Sequence, residues 1–329
     1  MKRRKMICAL LALVVVLAAC TGSAVSMPRT LEAPQPVRIE EADGGSGSGE
    51  TDGEPIDLGR GKMAGDEAYG PKQSAFVTKD YPSFGPLGSA SEMQGVTLIV
   101  TIQADDLLSS WGSDTATMDR MLSYQGIATR WLTARCAEWG VDAKFIYDWK
   151  ENPDLFFRKS FNEELVRYDG SMYNFQKDYL VMEIPVTELM SKYAADNVIF
   201  MFFFNTGYEN EVNPWTISYK DTSSNRGCNY ELMNIYVKFD NVETPPSTIA
   251  HEMLHCFGAP DLYYANELIS QEYVDYCVSS AARDIMFTVT LGDTIIDAFT
   301  ELDAYYVGLT DYSSDVTQWN LGPSQHFGY

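Results

Sequence analysis

The chain has 329 residues, of which 45% are hydrophobic and 13% aromatic, enough for one large globular domain or two smaller ones. Its formal net charge of −22 argues against binding to nucleic-acid phosphates and against electrostatic attachment to anionic lipid. We therefore expect a globular monomer without a nucleic-acid partner.

The first 19 residues predict an export signal. Basic residues at positions 2–5 precede an apolar stretch at positions 7–19, which is too short to cross a bilayer comfortably. The stretch ends in Leu-Ala-Ala-Cys, which resembles the lipobox of bacterial lipoproteins. The resemblance implies acylation of Cys20 and a lipid-anchored protein of the cell envelope that faces outside the cytoplasm. Ordinary secretion, with cleavage after Ala24 or Ser26, is the alternative.

Residues 20–92 predict a tether. An acidic stretch at positions 40–43 precedes a Gly/Ser run at positions 44–49, and such sequences are flexible or self-repelling. We expect this segment to be largely disordered and to hold the domain away from the membrane. A propeptide is the alternative, and residues 71–92 are candidates to pack on the domain.

Residues 93–329 predict the folded domain. A β-branched run at residues 96–102 predicts a strand, and apolar residues at helical spacing over residues 115–139 predict a long helix that Gly140 ends. Further strands are predicted at residues 141–147, 198–204, 215–219 and 231–239. This order predicts an α+β fold with a mixed twisted sheet and an α/β-like N-terminal part.

Two of the three histidines lie four residues apart, at His251 and His255, with Glu252 beside the first. On a helix, residues i and i+4 share a face, so both imidazoles can bind one metal ion while Glu252 points its carboxylate toward it. This spacing is typical of a zinc site. Two packed or solvated histidines are the alternative.

Neighbouring residues predict the ends of this helix. Thr244 or Ser247 can cap its start, where the prolines at positions 245–246 are tolerated. Gly258 can take the left-handed conformation that ends it. Because the chain turns there, Asp261 is the first group able to return to the metal as a third ligand. Capping of the next turn is the alternative role of Asp261.

The pattern His-Glu-x-x-His-x-x-Gly-x-x-Asp, from His251 to Asp261, resembles the metzincin zinc-binding motif in its aspartate variant, as in snapalysin-like peptidases. The Leu-Tyr that follows is similar to immune-inhibitor-type bacterial metallopeptidases. The run Asp-Ile-Met-Phe-Thr around Met286 resembles the Met-turn, a tight turn with a methionine beneath the metal. Core filling is the alternative role of Met286.

The resemblance implies a metzincin-like zincin fold. Its N-terminal subdomain would span residues 93–258 and include a backing helix and the motif helix. A smaller C-terminal subdomain at residues 259–329 would hold the Met-turn and a final helix at residues 295–307.

The resemblance also implies how the metal is used. His251, His255 and Asp261 would bind one catalytic Zn²⁺, and Glu252 would serve as general base and then general acid in peptide hydrolysis. Met286 would lie beneath the metal. Calcium is compatible with the many acidic residues, but no EF-hand loop is recognisable.

Two departures from the family pattern leave alternatives open. Thr288 stands where some metzincins have a tyrosine, so Tyr263 or Tyr264 is a candidate to replace it, with packing as the other explanation. The third ligand is Asp rather than His, which makes Glu267 and Glu272 alternative ligands.

We therefore expect an anchored zinc endopeptidase that cleaves extracellular proteins or peptides. The alternative is a non-catalytic surface-binding lipoprotein with a metzincin-like fold and structural zinc. Glu252 favours the enzyme, because a structural zinc site has no use for that carboxylate. His326, near the chain end, is expected to be a tail residue.

Four cysteines follow the lipobox-like sequence: Cys136, Cys228, Cys256 and Cys277. They allow three pairings, of which we expect Cys256 with Cys277, and four free buried thiols are the alternative. Cys256 is not expected to bind the metal, because it lies about 100° around the helix from His255.

Overall fold

The computed structural model describes residues 27–28, 90–147, 150–165, 171–206, 215–220, 229–239 and 242–327. The expectations for the export signal, for Cys20, for most of the tether and for Cys228 lie outside these residues. The described part has a mixed α+β fold with a mostly parallel sheet.

The elements follow one another in a mixed order along the chain. The strands are β1 (Met27–Pro28), β2 (Gly95–Asp105), β3 (Ala143–Ile146), β4 (Phe156–Ser160), β5 (Asn197–Phe204), β6 (Trp215–Lys220), β7 (Asn229–Tyr236), β8 (Lys238–Phe239), β9 (Val242–Glu243) and β10 (Thr288–Val289). The helices are α1 (Thr115–Glu138), α2 (Ser171–Glu183), α3 (Val186–Tyr193), α4 (Pro246–Cys256), α5 (Gln271–Ser280), α6 (Glu301–Tyr306) and α7 (Ser314–Trp319), and a 3-10 turn lies at Pro153–Leu155.

The main sheet has the strand order β3-β2-β5-β7-β6, and β4 follows β3 along the outer side of β2. All neighbouring pairs are parallel except the last, because β6 runs antiparallel to β7 at one edge. Two short antiparallel pairs, β8 with β9 and β1 with β10, lie outside this sheet.

The central strand β5 is buried along its whole length. Ile199 and Phe203 belong to one hydrophobic cluster, whereas Phe200 and Phe202 belong to the cluster on the opposite face. A parallel sheet covered on both faces requires such continuously apolar strands, which is why the sequence predicts this one.

Helices cover both faces of the sheet. Side chains of α1 and α4 belong to the first cluster, and side chains of α2 and α3 belong to the second. Residues beyond the motif helix, including Leu262, Met286 and Tyr306, add to the first cluster. The motif helix α4 therefore lies inside the core.

The predicted strands and the long helix are confirmed, with small shifts at their ends and a break between β7 and β8. Asp114 caps the start of α1, because its side chain accepts a hydrogen bond from the amide of Thr117, and Gly140 follows the end of the helix with φ +73°. The sequence does not predict β4, α2, α3, α5 or α7. Within the described residues, no helix combines the length and the apolar composition needed to cross a membrane.

The expected side-chain cap of the motif helix is wrong. Pro245 is the N-cap of α4, and no side chain bonds to the first turn there. The Thr244 hydroxyl instead donates to the carbonyl of Tyr236 at 2.5 Å, and the Ser247 hydroxyl donates to Asp297.

The expected final helix at residues 295–307 is shorter than predicted. α6 begins only after Thr300, which forms a capping box with Asp303. The residues before it run beside residues 283–285, because Ala298 donates to the carbonyl of Arg283 and accepts from the amide of Ile285.

Candidate metal centre

α4 carries His251, Glu252 and His255 through the core. Every residue of this helix is buried, and it packs against α1, β6 and β7. The three side chains belong to residues that are 1%, 2% and 6% exposed. Polar groups at this depth need partners inside the protein.

Three ligand atoms meet at one point beside the helix. Nε2 of His251 and Nε2 of His255 are 3.1 Å apart, and Oδ1 of Asp261 lies 3.2 Å from the first and 3.4 Å from the second. A carboxylate oxygen of Glu252 lies within 4.8 Å of a ring nitrogen of each histidine. The structure thus brings together these four residues that the sequence singles out.

The other ring nitrogen of each histidine determines its tautomer. Nδ1 of His251 is 2.8 Å from the carbonyl oxygen of Ile285, and Nδ1 of His255 is 2.7 Å from that of Ala259. A carbonyl can only accept, so both Nδ1 atoms donate, and Nε2 of each neutral ring turns its lone pair to the shared point. Metal-binding histidines are usually oriented in this way.

The spacing of these atoms fits a small tetrahedral cation. Ligand bonds of about 2.0–2.1 Å at tetrahedral angles separate the ligand atoms by about 3.3 Å, and the three distances here are 3.1, 3.2 and 3.4 Å. Within the described residues, Oδ1 of Asp261 is buried and accepts no hydrogen bond. The buried group of His251, Glu252 and His255 could therefore hold a metal ion, and Oδ1 of Asp261 lies within 3.4 Å of both imidazole Nε2 atoms of that group.

The electrostatics of the site favour one positive charge at the shared point. Burial by itself lowers the pKa of His255, but the carboxylates of Asp261 and Glu252 raise it to about 9. Burial by itself raises the pKa of Asp261, but His255 and His251 hold it well below its usual range. A proton can join only two of these atoms, whereas a metal ion can bind all three.

The predicted Met-turn supports both sides of the site. Asp284 closes the turn, because its Oδ1 accepts a hydrogen bond from the amide of Met286 at 2.7 Å. The carbonyl of Ile285 accepts a hydrogen bond from the His251 ring, and the carbonyl of Met286 accepts one from the amide of Leu262 at 3.0 Å. The turn therefore orients the His251 ring and holds the loop that carries Asp261.

Two buried carboxyl groups lie behind this turn. Asp284 accepts a hydrogen bond from the Thr300 hydroxyl at 2.7 Å, and Asp303 accepts one from the Thr300 amide at 2.9 Å. Burial raises the pKa of Asp284 to about 6, and burial together with the charge of Asp284 raises the pKa of Asp303 well above its usual value. The pair retains protons at pH values where exposed aspartates are ionised.

The alternative third ligands are placed differently. Glu267 and Glu272 are exposed, whereas both histidines are buried. Among the tyrosines considered as a replacement for the family tyrosine, Tyr263 lies beside the site: its ring is 6.5 Å from that of His251, at an interplanar angle of 20°. Thr288 is buried.

The described cysteines form no disulfide. Cys136, Cys256 and Cys277 are buried thiols outside any disulfide, so the expected pairing of Cys256 with Cys277 is wrong. The thiol of Cys256 donates to the carbonyl of Glu252 at 3.6 Å, and not to any of the three converging ligand atoms. Burial raises the pKa of Cys136 and of Cys277 to about 12, which keeps both thiols neutral.

The sequence does not reveal the groups that form hydrogen bonds to the histidine rings or to the turn after α4. The carbonyls of Ile285 and Ala259 belong to the backbone, which carries no residue-type signal. His326, expected to be a tail residue, donates from Nε2 to the carbonyl of Phe257 at 2.6 Å, across 69 positions of sequence. The rarity of histidine, with three in the chain, is the one signal that points to it.

Comparisons with known proteins assign no family to the chain. No protein-family model matches the chain, and no curated protein is significantly similar to it in sequence. The functional conclusion therefore depends on the geometry and chemistry of the site itself.

Proposed function

We propose that the chain is a zinc-dependent endopeptidase of the metzincin type. The proposal is carried by one observation: lone pairs of His251, His255 and Asp261 converge beside the buried carboxylate of Glu252. Two imidazoles and one carboxylate at tetrahedral spacing suit Zn²⁺, whereas Ca²⁺ and Mg²⁺ prefer oxygen ligands at higher coordination numbers. Zn²⁺ is therefore the cofactor that fits this donor set.

Glu252 has the central chemical role in this proposal. Zn²⁺, when bound, makes water a nucleophile at neutral pH and polarises the substrate carbonyl. The Glu252 carboxylate takes a proton from the attacking water and returns it to the amine that leaves the cleaved bond. Meanwhile the hydrogen bonds to Ile285 and Ala259 keep the two imidazole rings in place.

The arrangement of elements supports the metzincin assignment. A long helix, α1, packs against the motif helix α4, and a tight turn containing Met286 follows in the chain. These parts agree with the backing helix, motif helix and Met-turn that the resemblance implies. The short α6 stands in the place of the final helix.

The edge strand β6 supports a peptide substrate. β6 is the antiparallel edge of the sheet, and it packs against α4. The metzincin likeness implies that an extended substrate aligns antiparallel to such an edge, where backbone groups can pair with a further strand. We infer that a protein or peptide lies along β6 with its scissile bond at the metal.

We propose further that the enzyme is lipid-anchored through Cys20 in the cell envelope. The export signal at positions 1–19 and the Leu-Ala-Ala-Cys sequence support this location. Its substrates would then be proteins or peptides outside the cytoplasm.

The test compares the wild-type full chain with Glu252→Gln for casein cleavage and for zinc content. Glutamine keeps the shape of the side chain but cannot accept the proton, so we expect cleavage to fall by about 100- to 10,000-fold. Zinc content should remain at the wild-type level. Glu188→Gln, at an exposed position of α3, is the matched control and should keep full activity.

Two outcomes would contradict parts of this proposal. Full activity of Glu252→Gln would exclude that carboxylate as the general base. A wild-type chain that binds zinc but cleaves neither casein nor gelatin nor a broad peptide library would be a binding lipoprotein with structural zinc.

A further inference from the structure

Carbonyls at the C-terminal end of α4 accept hydrogen bonds from donors in distant parts of the chain. The last carbonyls of a helix have no partners within it. Here four carbonyls at this end accept from backbone or side-chain donors: Leu254 from Ala259, His255 from Gly258, Cys256 from Ala90, and Phe257 from His326 and, at 3.5 Å, from Nε2 of Gln325. The first two donors belong to the turn itself. The carbonyl of Phe257 depends on the C-terminal segment.

This turn determines where the third candidate ligand lies. Gly258 has φ +102°, a conformation that side chains disfavour. The turn carries the chain from His255 to Asp261, and the carbonyl of Ala259 within it orients the His255 ring. A change in the turn would therefore move two of the three converging ligand atoms.

The C-terminal segment packs directly on the turn. A Cβ added to Gly258 would lie 2.7 Å from Nε2 of Gln325, so the backbone and the Gln325 side chain are in close contact. Next to it, His326 donates from Nε2 to the Phe257 carbonyl at 2.6 Å. Since a carbonyl can only accept, Nε2 carries the proton of this ring.

The segment is itself held against the body of the domain. Ser324 donates from its amide to the Tyr305 hydroxyl at 3.1 Å and from its hydroxyl to the Tyr306 carbonyl at 3.3 Å. The ring of Phe327 stacks on Tyr305 with centroids 5.7 Å apart. His326 thus sits between two anchored residues, which limits the positions that its ring can take.

The His326 ring is suited to act as a neutral donor. Burial lowers its pKa, although the hydrogen bond to Phe257 and the nearby charge of Glu92 oppose that effect. A neutral ring with its proton on Nε2 matches a single carbonyl acceptor. Without this donor the Phe257 carbonyl would keep only the longer, 3.5 Å hydrogen bond from Nε2 of Gln325, which favours a rearranged turn.

We propose that His326 is a positioning residue of the metal centre, which holds the glycine turn through the Phe257 carbonyl and thereby sets the distance between His255 and Asp261. This inference rests on the metal-dependent function proposed above. It extends the site to a third histidine, whose ring bonds to the Phe257 carbonyl and not to the three converging ligand atoms.

The test measures Zn²⁺ affinity of the full chain by competition with a chromogenic chelator, together with the visible spectrum of the Co²⁺-loaded chain. We expect His326→Ala to weaken Zn²⁺ binding by about tenfold, in the range found for groups that orient metal ligands, and to shift the Co²⁺ bands. His326→Gln, whose amide can donate to the same carbonyl, should restore affinity to within about threefold of wild type.

Tyr273→Phe is the matched control. It removes the 3.0 Å hydrogen bond from Tyr273 to Asp315, elsewhere in the C-terminal region, and should leave both readouts unchanged. Thermal unfolding in EDTA compares the stability of all variants without metal. A purely structural role of His326 predicts a lower Tm with wild-type Zn²⁺ affinity and an unchanged Co²⁺ spectrum.

Three outcomes would overturn the inference. They are wild-type Zn²⁺ affinity in His326→Ala, equal weakening in the Ala and Gln variants, and a wild-type chain that binds no zinc. Only the last would also overturn the proposed function. A chain that binds zinc through a His326-dependent site yet cleaves no peptide would instead support the inference and contradict the proposed function.

Discussion

A carboxylate buried between two imidazoles is costly unless a positive charge lies beside it. Asp261 meets that condition when a proton or a metal ion occupies the point it shares with His251 and His255. The residue would therefore contribute negative charge as well as a ligand atom. Substitution by asparagine, which has the same shape but no charge, separates the effect of the charge from that of the ligand atom.

We expect Asp261→Asn to weaken Zn²⁺ binding by more than about 100-fold, because even groups that only orient a ligand contribute roughly 10- to 100-fold. Chelator competition measures the affinity. Asp275→Asn, at an exposed position on α5, is the control. Wild-type affinity in Asp261→Asn would show that the charge of Asp261 is not needed, and would make Glu267 and Glu272 the next candidates.

The buried carboxyl pair of Asp284 and Asp303 makes stability depend on pH. Asp284 has a folded-state pKa of about 6, above the ordinary value of about 3.9 that it regains on unfolding. Between these values the folded chain binds more protons than the unfolded chain. The stabilisation from protonation is therefore complete below about pH 4 and is lost as the pH rises through about 6. The pKa of Asp303 is also raised, which adds to the same trend.

Asp303→Asn should reduce this dependence. The amide oxygen of asparagine can still accept from Thr300, but the repulsion of Asp284 is removed. We expect the fall in the free energy of unfolding between pH 4 and pH 7 to shrink by on the order of 1–3 kcal/mol. Urea unfolding of both chains in EDTA measures it, and both share every other titrating group. Parallel pH curves would show that the two carboxyl groups are not coupled.

At the scale of elements, the glycine turn after α4 is the part most sensitive to substitution. Gly258 and Gly292 have nearly the same φ angle, +102° and +101°. An added Cβ would contact Gln325 at Gly258 but would meet nothing within 4 Å at Gly292. A comparison of alanine substitutions at the two glycines therefore distinguishes the effect of backbone strain from the effect of contact with the C-terminal segment.

We expect Gly258→Ala and Gly292→Ala each to lower the free energy of unfolding by roughly 1–3 kcal/mol, the cost of a disfavoured backbone conformation. The stability loss should be similar in both, because the end of the Gln325 side chain can move aside. Only Gly258→Ala should also weaken Zn²⁺ binding. Urea unfolding in EDTA and chelator competition provide the two measurements, and equal zinc affinities would argue against a role of this turn in the site.

The sequence predicts those elements whose apolar pattern has a single explanation. The run at β5 has the length and branching of a buried strand, and α1 shows helical spacing over more than six turns. α5 is missed, because Tyr273, Val274 and Cys277 fit one helix face but also suit a strand. The cap of α4 is predicted wrongly, since the Thr244 hydroxyl is taken by a strand carbonyl.

At the scale of the whole molecule, the proposed metal would tie the motif helix to the chain beyond it. His251 and His255 belong to α4, whereas Asp261 follows the glycine turn, and the carbonyl of Ile285 in the C-terminal part accepts from the His251 ring. A ligand that binds only the folded chain stabilises it in proportion to the logarithm of its concentration over Kd. Metal removal should therefore lower global stability.

EDTA should lower the Tm of the zinc-loaded chain by on the order of 10 °C, which corresponds to about 4 kcal/mol at a zinc concentration 1,000 times Kd. Glu252→Gln should show the same shift, and Asp261→Asn, with zinc affinity more than about 100-fold weaker, should show at most about a third of it. Differential scanning calorimetry with and without EDTA makes the comparison. An EDTA-insensitive wild type would contradict a stoichiometric metal.

The candidate site can be predicted from the sequence only as far as its side chains are near one another in the chain. His251, Glu252, His255 and Asp261 lie within eleven positions, so helix geometry and one turn suffice to bring them together. The carbonyl of Ile285 and the ring of His326 reach the same region through tertiary packing. Their contribution depends on how the C-terminal part folds back, which spacing does not encode.

The two imidazoles differ in how far their supporting carbonyls lie along the chain, and this difference bears on the order of folding. The His255 ring bonds to a carbonyl four residues away, whereas the His251 ring bonds to one 34 residues away. The local half can form as soon as α4 and its turn form, but the other half must wait for closure of a longer loop. Zinc captured by a partly folded chain would thus be held by the local half alone, and tight retention would coincide with docking of the C-terminal part.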